Sequence, residues 1–264
     1  MTEQRVRWVE PPAFLLAIAG LVALVGIGMT AVGSQKVGLF TDDPGHALRL
    51  THYLDNGLYI RDFEVRRTTD DDIPDGAYVY GPATLLLSHE VNRALNDEEP
   101  DKAGMWPYQY AVRHGVVAAI GLAGLLAAVG LAWSVLGSWR WGVVTAGLLS
   151  AIPLWTGHAM FNPKDVPVAA GHTAFTLGLV LLASAKPGSR LRWLLFGGAV
   201  LAGGTFFALG TRPGTWAPMS VVLAVFVLAV IRSHQVQTRM STRETVRLCP
   251  RLKTSYVPCG ESMA

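Results

Sequence analysis

Cysteine and charge are both scarce in this chain of 264 residues. Its two cysteines, Cys249 and Cys259, lack metal-ligand spacing and fit neither a disulfide framework nor a zinc site. Only 16% of the residues are Asp, Glu, Lys or Arg, whereas 51% are hydrophobic and lie in long blocks between polar islands. No internal repeat is visible. This composition is typical of a polytopic membrane protein.

Six apolar runs approach or reach the roughly 17 to 25 residues that a helix needs to cross a hydrocarbon core. The first run is longer than the roughly 7 to 15 residues of a signal-peptide core, so a retained anchor is favoured over a cleaved signal peptide. The sequence therefore predicts an all-α membrane helix bundle of about six spans within residues 1–232. The predicted spans are Pro12–Val32, Gly115–Leu136, Trp141–Gly157, Val168–Ala185, Trp193–Gly210 and Trp216–Ile231.

Charge is distributed unequally between the two sides of this bundle. The short loops on one side are basic, which predicts that this side is the cytoplasm. Of the 19 acidic residues, 14 lie in the long loop 34–112 on the opposite, outer side. We expect a multi-pass cell-membrane protein with a cytoplasmic N terminus, and the net charge of +3 does not point to nucleic acid. The basic residues on the predicted cytoplasmic side are Arg5, Arg7, Arg140, Lys186, Arg190, Arg192 and Arg232.

The outer loop 34–112 is patterned for two amphipathic helices. Asp43 can cap the first helix, Pro44 can begin it, and Asn56-Gly57 can end it. The second is expected to begin at Pro82. Their apolar stripes are Ala47, Leu50, Leu54 and Leu58, and Leu87, Val91, Ala94 and Leu95. Both helices are expected to lie near the membrane surface.

Residues 233–264 have no further span and no sustained helical period. Two interpretations stay open. One is a basic, disordered cytoplasmic tail near anionic lipid, and the other is sequence read through after a frame disruption.

The strongest catalytic candidates follow the first span directly. Asp42, Asp43 and His46 would lie at the outer membrane boundary, where a carboxylate can take a proton from an incoming hydroxyl as general-base catalysis requires. Acids at a helix start also stabilise the positive end of the helix dipole, so a structural role is the alternative. The run Asp70–Asp72 is either a cation site or a solvated loop.

These features resemble the membrane glycosyltransferases of the GT-C fold. The closest likeness is to the protein O-mannosyltransferase and aminoarabinose-transferase type, glycosyltransferase family 39, which carries an acidic pair in its first outer loop. Asp42-Asp43 matches that position. "HAMFNPKDVP" (residues 158–167) is similar to the His-x-x-Phe-Asn-Pro-Lys-Asp-x-Pro signature of one bacterial branch.

The resemblance implies transfer of a sugar from a polyprenyl-phosphate carrier to an acceptor hydroxyl on a glycan, lipid or protein. Asp42 would be the base and Asp43 a supporting acid. Dependence on a divalent cation stays open, since the sequence offers no decisive set of metal ligands.

Several residues on the predicted outer side, His46 among them, would then bind the substrate or the carrier phosphate. Lys164 would neutralise it, Asp165 would hold Lys164, and Asn162 and His158 would donate hydrogen bonds. Arg212 would contact the phosphate or extend to the interface. The structural alternative is a Lys164–Asp165 salt bridge in a turn between two helices.

Enzymes of this type have about a dozen spans, so the resemblance covers an N-terminal half. A truncated, inactive fragment is therefore one expectation. Two further alternatives are a non-catalytic membrane protein or partner subunit on the same scaffold, and a transporter with Lys164, Asp165 and His172 along a polar pathway.

Overall fold

The computed structural model describes residues 9–38, 43–57, 59, 80–96, 107–184 and 190–232, and every regular element in them is helical. The α-helices are α1 (Ala13–Gly33), α2 (Asp43–Asn56), α3 (Ala83–Asn96), α4 (Pro107–Leu136), α5 (Trp139–Ser150), α6 (Pro153–His158), α7 (Asp165–Ala183) and α8 (Arg190–Thr211). A last helical segment, α9, covers Pro213–Arg232 and opens with the 3₁₀ turn Pro213–Thr215. The predicted all-α fold is confirmed.

Five of these helical segments are long and apolar enough to cross a membrane. They are Ala13–Gly33, Tyr110–Leu136, Asp165–Ala183, Leu191–Thr211 and Pro213–Arg232. Large apolar side chains such as Leu21, Leu24 and Leu195 are exposed along them. In water such surfaces would be a liability, whereas in a bilayer they face lipid tails. The chain is accordingly a multi-pass membrane protein.

The third predicted span is not one helix. Helix α5 ends at Ser150 and α6 begins at Pro153, while Ile152 between them is extended, with φ −83° and ψ 108°. Proline has no N–H for the helical ladder, and its ring crowds the preceding turn. The sequence Trp141–Gly157 therefore folds as two shorter helices.

The two amphipathic helices of the loop 34–112 form near their predicted bounds. Gly57 ends α2 with φ +75°, and its N–H donates to the carbonyl of Tyr53 at 2.8 Å, a left-handed C-terminal cap that glycine adopts without strain. Ala47 and Leu50 are buried, whereas Leu54 is exposed, so the inward stripe of α2 is shorter than predicted. Leu58 lies outside the described residues.

The chain divides into two compact units, Met1–Ala217 and Pro218–Ala264. In the first unit α4 is central and packs against α1, α3, α5 and α7, while α8 packs against α7 and α3. The described part of the second unit is the helical stretch 218–232. The predicted tail, with both cysteines, lies outside the described residues.

Glycine permits the close contact between α7 and α8. A Cβ added at Gly171 would lie 2.6 Å from the amide nitrogen of Ala208 and 2.7 Å from the carbonyl oxygen of Gly204. Small residues let membrane helices approach backbone to backbone, where dispersion contacts replace a hydrophobic driving force. This packing places the first residue of α7 and the residue after α8 at the same end of the bundle.

Candidate functional site

We call this end of the bundle the polar end. It contains α2, α3, the 159–164 connection, the start of α7 and Arg212.

Asn162 organises the connection between α6 and α7. Its Oδ1 accepts the backbone N–H groups of Lys164 (3.0 Å) and Asp165 (2.9 Å). Its Nδ2 donates to Asp165 Oδ2 at 2.9 Å and lies 2.7 Å from Nδ1 of His158. The side chain is 1% exposed. An amide has two donors and two acceptor positions, so all four are occupied. Donation to a sugar or phosphate, as the sequence suggests, would require Asn162 to give up one of these bonds.

Asp165 joins this connection to the end of α8. Its Oδ1 lies 3.1 Å from Nη2 of Arg212, and the two side chains are 43% and 37% exposed. An ion pair this exposed contributes little stability by itself. The ion pair instead positions the Arg212 side chain, because Asp165 holds its guanidinium at the polar end. Asp165 thus has a direct ionic partner in Arg212, a pairing that the sequence did not suggest.

Tyr80 is the centre around which the cationic side chains gather. Arg212 Cζ, Lys164 Nζ and Arg49 Cζ lie 5.2, 5.4 and 5.6 Å from the centroid of its ring. The imidazole of His46 meets the same ring edge-on, with a centroid distance of 5.6 Å. Distances below about 6 Å are those of cation–π contacts. Three cations from three separate parts of the chain therefore share one aromatic ring.

His46 and Tyr59 form the buried side of this cluster. Nδ1 of His46 lies 3.3 Å from the phenol oxygen of Tyr59, and both residues are buried. Burial raises the pKa of the Tyr59 phenol well above its usual range, although the positive charges of Arg49 and Arg113 act in the opposite direction. Tyr59 is accordingly a neutral hydrogen-bonding group at neutral pH, not a source of negative charge.

A buried pair of threonines closes the cluster on the bundle side. The Oγ1 atoms of Thr84 and Thr211 lie 2.9 Å apart, and the N–H of Gly81 donates to the carbonyl of Thr211 at 2.8 Å. A Cβ at Gly81 would collide with the carbonyl oxygen of Gly210. The cavity bordered by these threonines, His46, Tyr59, Tyr80 and Lys164 measures about 10 Å³. That is close to the minimum for one water, so a sugar would have to bind outside it.

An apolar groove of about 1040 Å³ is formed by α3, α4, α7 and α8. Leu87 on α3 follows Thr84 by three residues, and Phe207 on α8 precedes Thr211 by four. Both spacings keep residues on one helix face. The groove therefore begins about one helical turn from the threonine pair. Its wall includes the predicted stripe residues Leu87, Val91 and Leu95.

Most of the predicted site residues meet at the polar end. His46, His158, Asn162, Lys164, Asp165 and Arg212 belong to the contacts above. Asp43 is the first residue of α2, three residues before His46. Asp42, predicted to be the base, lies outside the described residues, as does Asp70–Asp72.

Other charged and aromatic residues near the polar end were not predicted as site residues from the sequence. Arg49 and Tyr80 complete the cation cluster, while Arg113 and His114 are buried in α4 at 7% and 1% exposure. Arg113 stacks on Tyr110, with its Cζ 4.9 Å from the ring centroid. Two signals were available. Arg49 follows His46 by three residues on one helix face, and Arg113-His114 is an ionisable pair at the start of an apolar run.

The described residues contain no group of three or more His, Cys, Asp or Glu side chains placed to hold a metal ion. Comparisons with protein-family models, with curated protein sequences and with solved structures gave no match. The resemblance to GT-C glycosyltransferases therefore depends on its sequence motifs alone.

Proposed function

We propose that this chain binds the phosphate of a polyprenyl-phosphate-linked sugar at its polar end and transfers the sugar to an acceptor hydroxyl. The observation that carries the proposal is the convergence of Arg49, Lys164 and Arg212 on Tyr80. Under the predicted orientation, the polar end is the outer face of the membrane.

Electrostatics favours an anionic ligand there. Three positive side chains that contact one ring repel one another; Asp165 pairs with Arg212, and an anion shared among the three would reduce the repulsion further. Phosphate also accepts several hydrogen bonds from arginine and lysine. In the transfer step, the carbon–oxygen bond to phosphate breaks and phosphate keeps the electron pair. Fixed cations stabilise that developing charge.

The apolar groove suits the polyprenyl part of the same ligand. It begins about one turn from the threonine pair, so a lipid with its phosphate among the cations could lay its hydrocarbon chain along α4 and α8. The bilayer and the groove are both apolar, so the hydrocarbon chain would gain little hydrophobic free energy when it moves from one to the other. Affinity is therefore expected to come mainly from the headgroup.

Asp42 is the proposed base, with Asp43 in support. The Asp42 carboxylate would take the proton of the acceptor hydroxyl while that oxygen attacks the anomeric carbon and phosphate departs. What supports this assignment is the motif position, together with the start of α2 at Asp43 on the helix that also carries Arg49.

Headgroup binding is tested with the full chain in lipid nanodiscs, using polyprenyl monophosphate as the probe and uncharged polyprenol for comparison. We expect Lys164→Ala, Arg49→Gln and Arg212→Gln each to weaken phosphate binding about 10- to 100-fold, as loss of a charge-assisted contact does. Arg93→Gln is the matched control, because Arg93 is exposed on α3 and pairs with Glu90. Equal affinity for polyprenol and its phosphate would reject the headgroup site.

Transfer is tested separately, in membranes that contain the chain and a labelled polyprenyl-phosphate sugar. We expect activity in the wild type and its loss in Asp42→Asn. Phosphate binding without any transfer would support the alternative of a non-catalytic lipid-binding protein. Transfer that survives in Asp42→Asn would refute the proposed base.

A further inference from the structure

We infer that His172 and Thr173 form a surface on α7 at which a second copy of this chain docks within the membrane. The inference goes beyond the proposed function and does not depend on it. It follows from a polar side chain on the side of α7 that faces away from the helix bundle.

His172 lies opposite the packed side of α7. The packed side meets α4 and α8 at Ala170, Gly171, Leu177 and Gly178. At 3.6 residues per turn, His172 and Ala169 lie on the other side of the helix. His172 is half-buried and Ala169 is exposed. His172 is also not among the residues that line the apolar groove.

The position of His172 is well inside the span formed by Asp165–Ala183. It follows Asp165, at the polar end, by seven residues, which is about 10 Å along the helix axis. Lysine and arginine can extend to the interface from such a depth, but the imidazole is shorter. Ionisable side chains inside a membrane almost always face the bundle interior or a water-filled cavity, or pair with one another. A partner for His172 must therefore lie at a similar depth.

The described part of the chain provides no partner for this imidazole. The backbone carbonyl of His172 accepts from the Thr176 hydroxyl at 2.9 Å, but the His172 side chain makes no hydrogen bond, ion pair or ring contact with the residues that the structure describes. A neutral imidazole has one donor and one acceptor nitrogen. Lipid tails can satisfy neither, so exposure of the ring to hydrocarbon costs free energy.

The same side of α7 offers an acceptor that matches the imidazole donor. The exposed hydroxyl of Thr173 donates to the backbone carbonyl of Ala169 at 2.9 Å. A hydroxyl has one donor and two acceptor positions, so the Thr173 oxygen can still accept a hydrogen bond. A donor and an acceptor thus lie side by side on one surface, which makes that surface self-complementary.

A second copy carries the complementary group at the matching depth. All copies insert with the same orientation, and parallel α7 helices place equal residues at equal levels. Thr173 of the second copy is then one residue, about 1.5 Å, from the level of His172. Across a two-fold axis, each imidazole N–H can donate to the hydroxyl of the other copy, which gives two equivalent hydrogen bonds. Ala169 is small enough to let the two backbones approach closely.

The first test measures dimerisation of the full chain in lipid vesicles, by energy transfer between copies that carry donor and acceptor dyes. We expect the wild type to dimerise and His172→Leu to raise the dissociation constant about tenfold, because two hydrogen bonds between helices are lost. His172→Asn keeps a donor and an acceptor, so its dissociation constant should stay within about threefold of the wild type. Phe206→Leu is the matched control, since Phe206 is 55% exposed on α8. A monomeric wild type, or equal dissociation constants for the wild type and His172→Leu, would overturn the inference.

A double-mutant cycle tests the acceptor. Thr173→Val alone should weaken dimerisation about as much as His172→Leu, and the double variant should lose no more than either single variant. Additive losses would refute a contact between His172 and Thr173.

Cysteine cross-linking tests the arrangement by position. In a chain with Cys249→Ser and Cys259→Ser, we expect Ala169→Cys to form a disulfide between copies under mild oxidation and Phe206→Cys to form none. No disulfide at residue 169, or an equal yield at residue 206, would overturn the α7 interface. So would a monomeric wild type whose His172 reacts with a water-soluble imidazole reagent, a result that would place His172 in a hydrated pathway instead.

Discussion

Gly203 and Gly204 are adjacent in α8 but face different surroundings, so they form a matched pair of sites for testing the packing beneath the polar end. A Cβ at Gly203 would meet nothing within 4 Å. At Gly204 it would lie 2.7 Å from the carbonyl oxygen of Gly171 and 2.9 Å from Cα of Phe175, both backbone atoms of α7. A methyl group at residue 204 can therefore fit only if the two helices separate.

The size of the difference follows from two opposing effects. Glycine to alanine in a helix interior gains up to about 1 kcal/mol at either position, because alanine restricts the unfolded backbone. At residue 204 the contact with the Gly171 carbonyl oxygen would be about 0.7 Å shorter than the 3.4 Å of ordinary contact, the amide nitrogen of Phe175 would lie closer still, and both atoms belong to rigid backbone. Overpacking of this kind costs about 1 to 3 kcal/mol. Gly204→Ala should thus be less stable than Gly203→Ala by about 1 to 3 kcal/mol.

The assay is reversible unfolding of both variants and the wild type in the same bicelles, read as the free energy of unfolding. We expect Gly203→Ala to equal or exceed the wild type and Gly204→Ala to fall below Gly203→Ala. Equal stability of the two variants would refute the close α7–α8 contact. So would a Gly204→Ala protein that is more stable than Gly203→Ala.

Two further predictions concern the buried side of the polar end. Thr84→Val and Thr211→Val should each lower the free energy of unfolding by about 1 to 3 kcal/mol, because each leaves the other hydroxyl buried without its partner. In a double-mutant cycle, the double variant should lose less than the sum of the two single losses. Additive losses would contradict the 2.9 Å contact. The pKa of Tyr59 is raised in the folded protein, so the unfolded chain loses the phenol proton first, near pH 10. The stability that the protonated phenol gives to the folded state is therefore complete below about pH 10 and declines above it. The free energy of unfolding should therefore decline less steeply above about pH 10 in Tyr59→Phe than in the wild type. Identical dependence of stability on pH in the two proteins would contradict a buried, neutral Tyr59.

The helices could be predicted from the sequence because their signals are local. Apolar runs long enough to cross a bilayer mark the spans, and Pro82 and Gly57 mark helix boundaries through their backbone restrictions. The same rule, applied to Pro153, would have predicted the break in the third apolar run. Hydropathy obscured that break, because the residues on both sides of it are apolar.

The polar end could be predicted only in part. His46, Lys164, Asp165 and Arg212 stood out because ionisable residues near membrane spans are costly and therefore conspicuous. Tyr80 did not, and the only local signal for Arg49 was its position three residues after His46 on one helix face. Their contacts with Lys164 and Arg212 join residues far apart along the chain, which no local pattern records.

The sequence by itself determined that this chain is a helical membrane bundle, because the length and composition of a span are properties of consecutive residues. The tertiary structure alone decided the partners of each polar side chain. It placed three cations around Tyr80 and paired Asp165 with Arg212. The Asp165–Arg212 pair depends on how closely α7 and α8 approach, and glycine packing between these helices allows that approach.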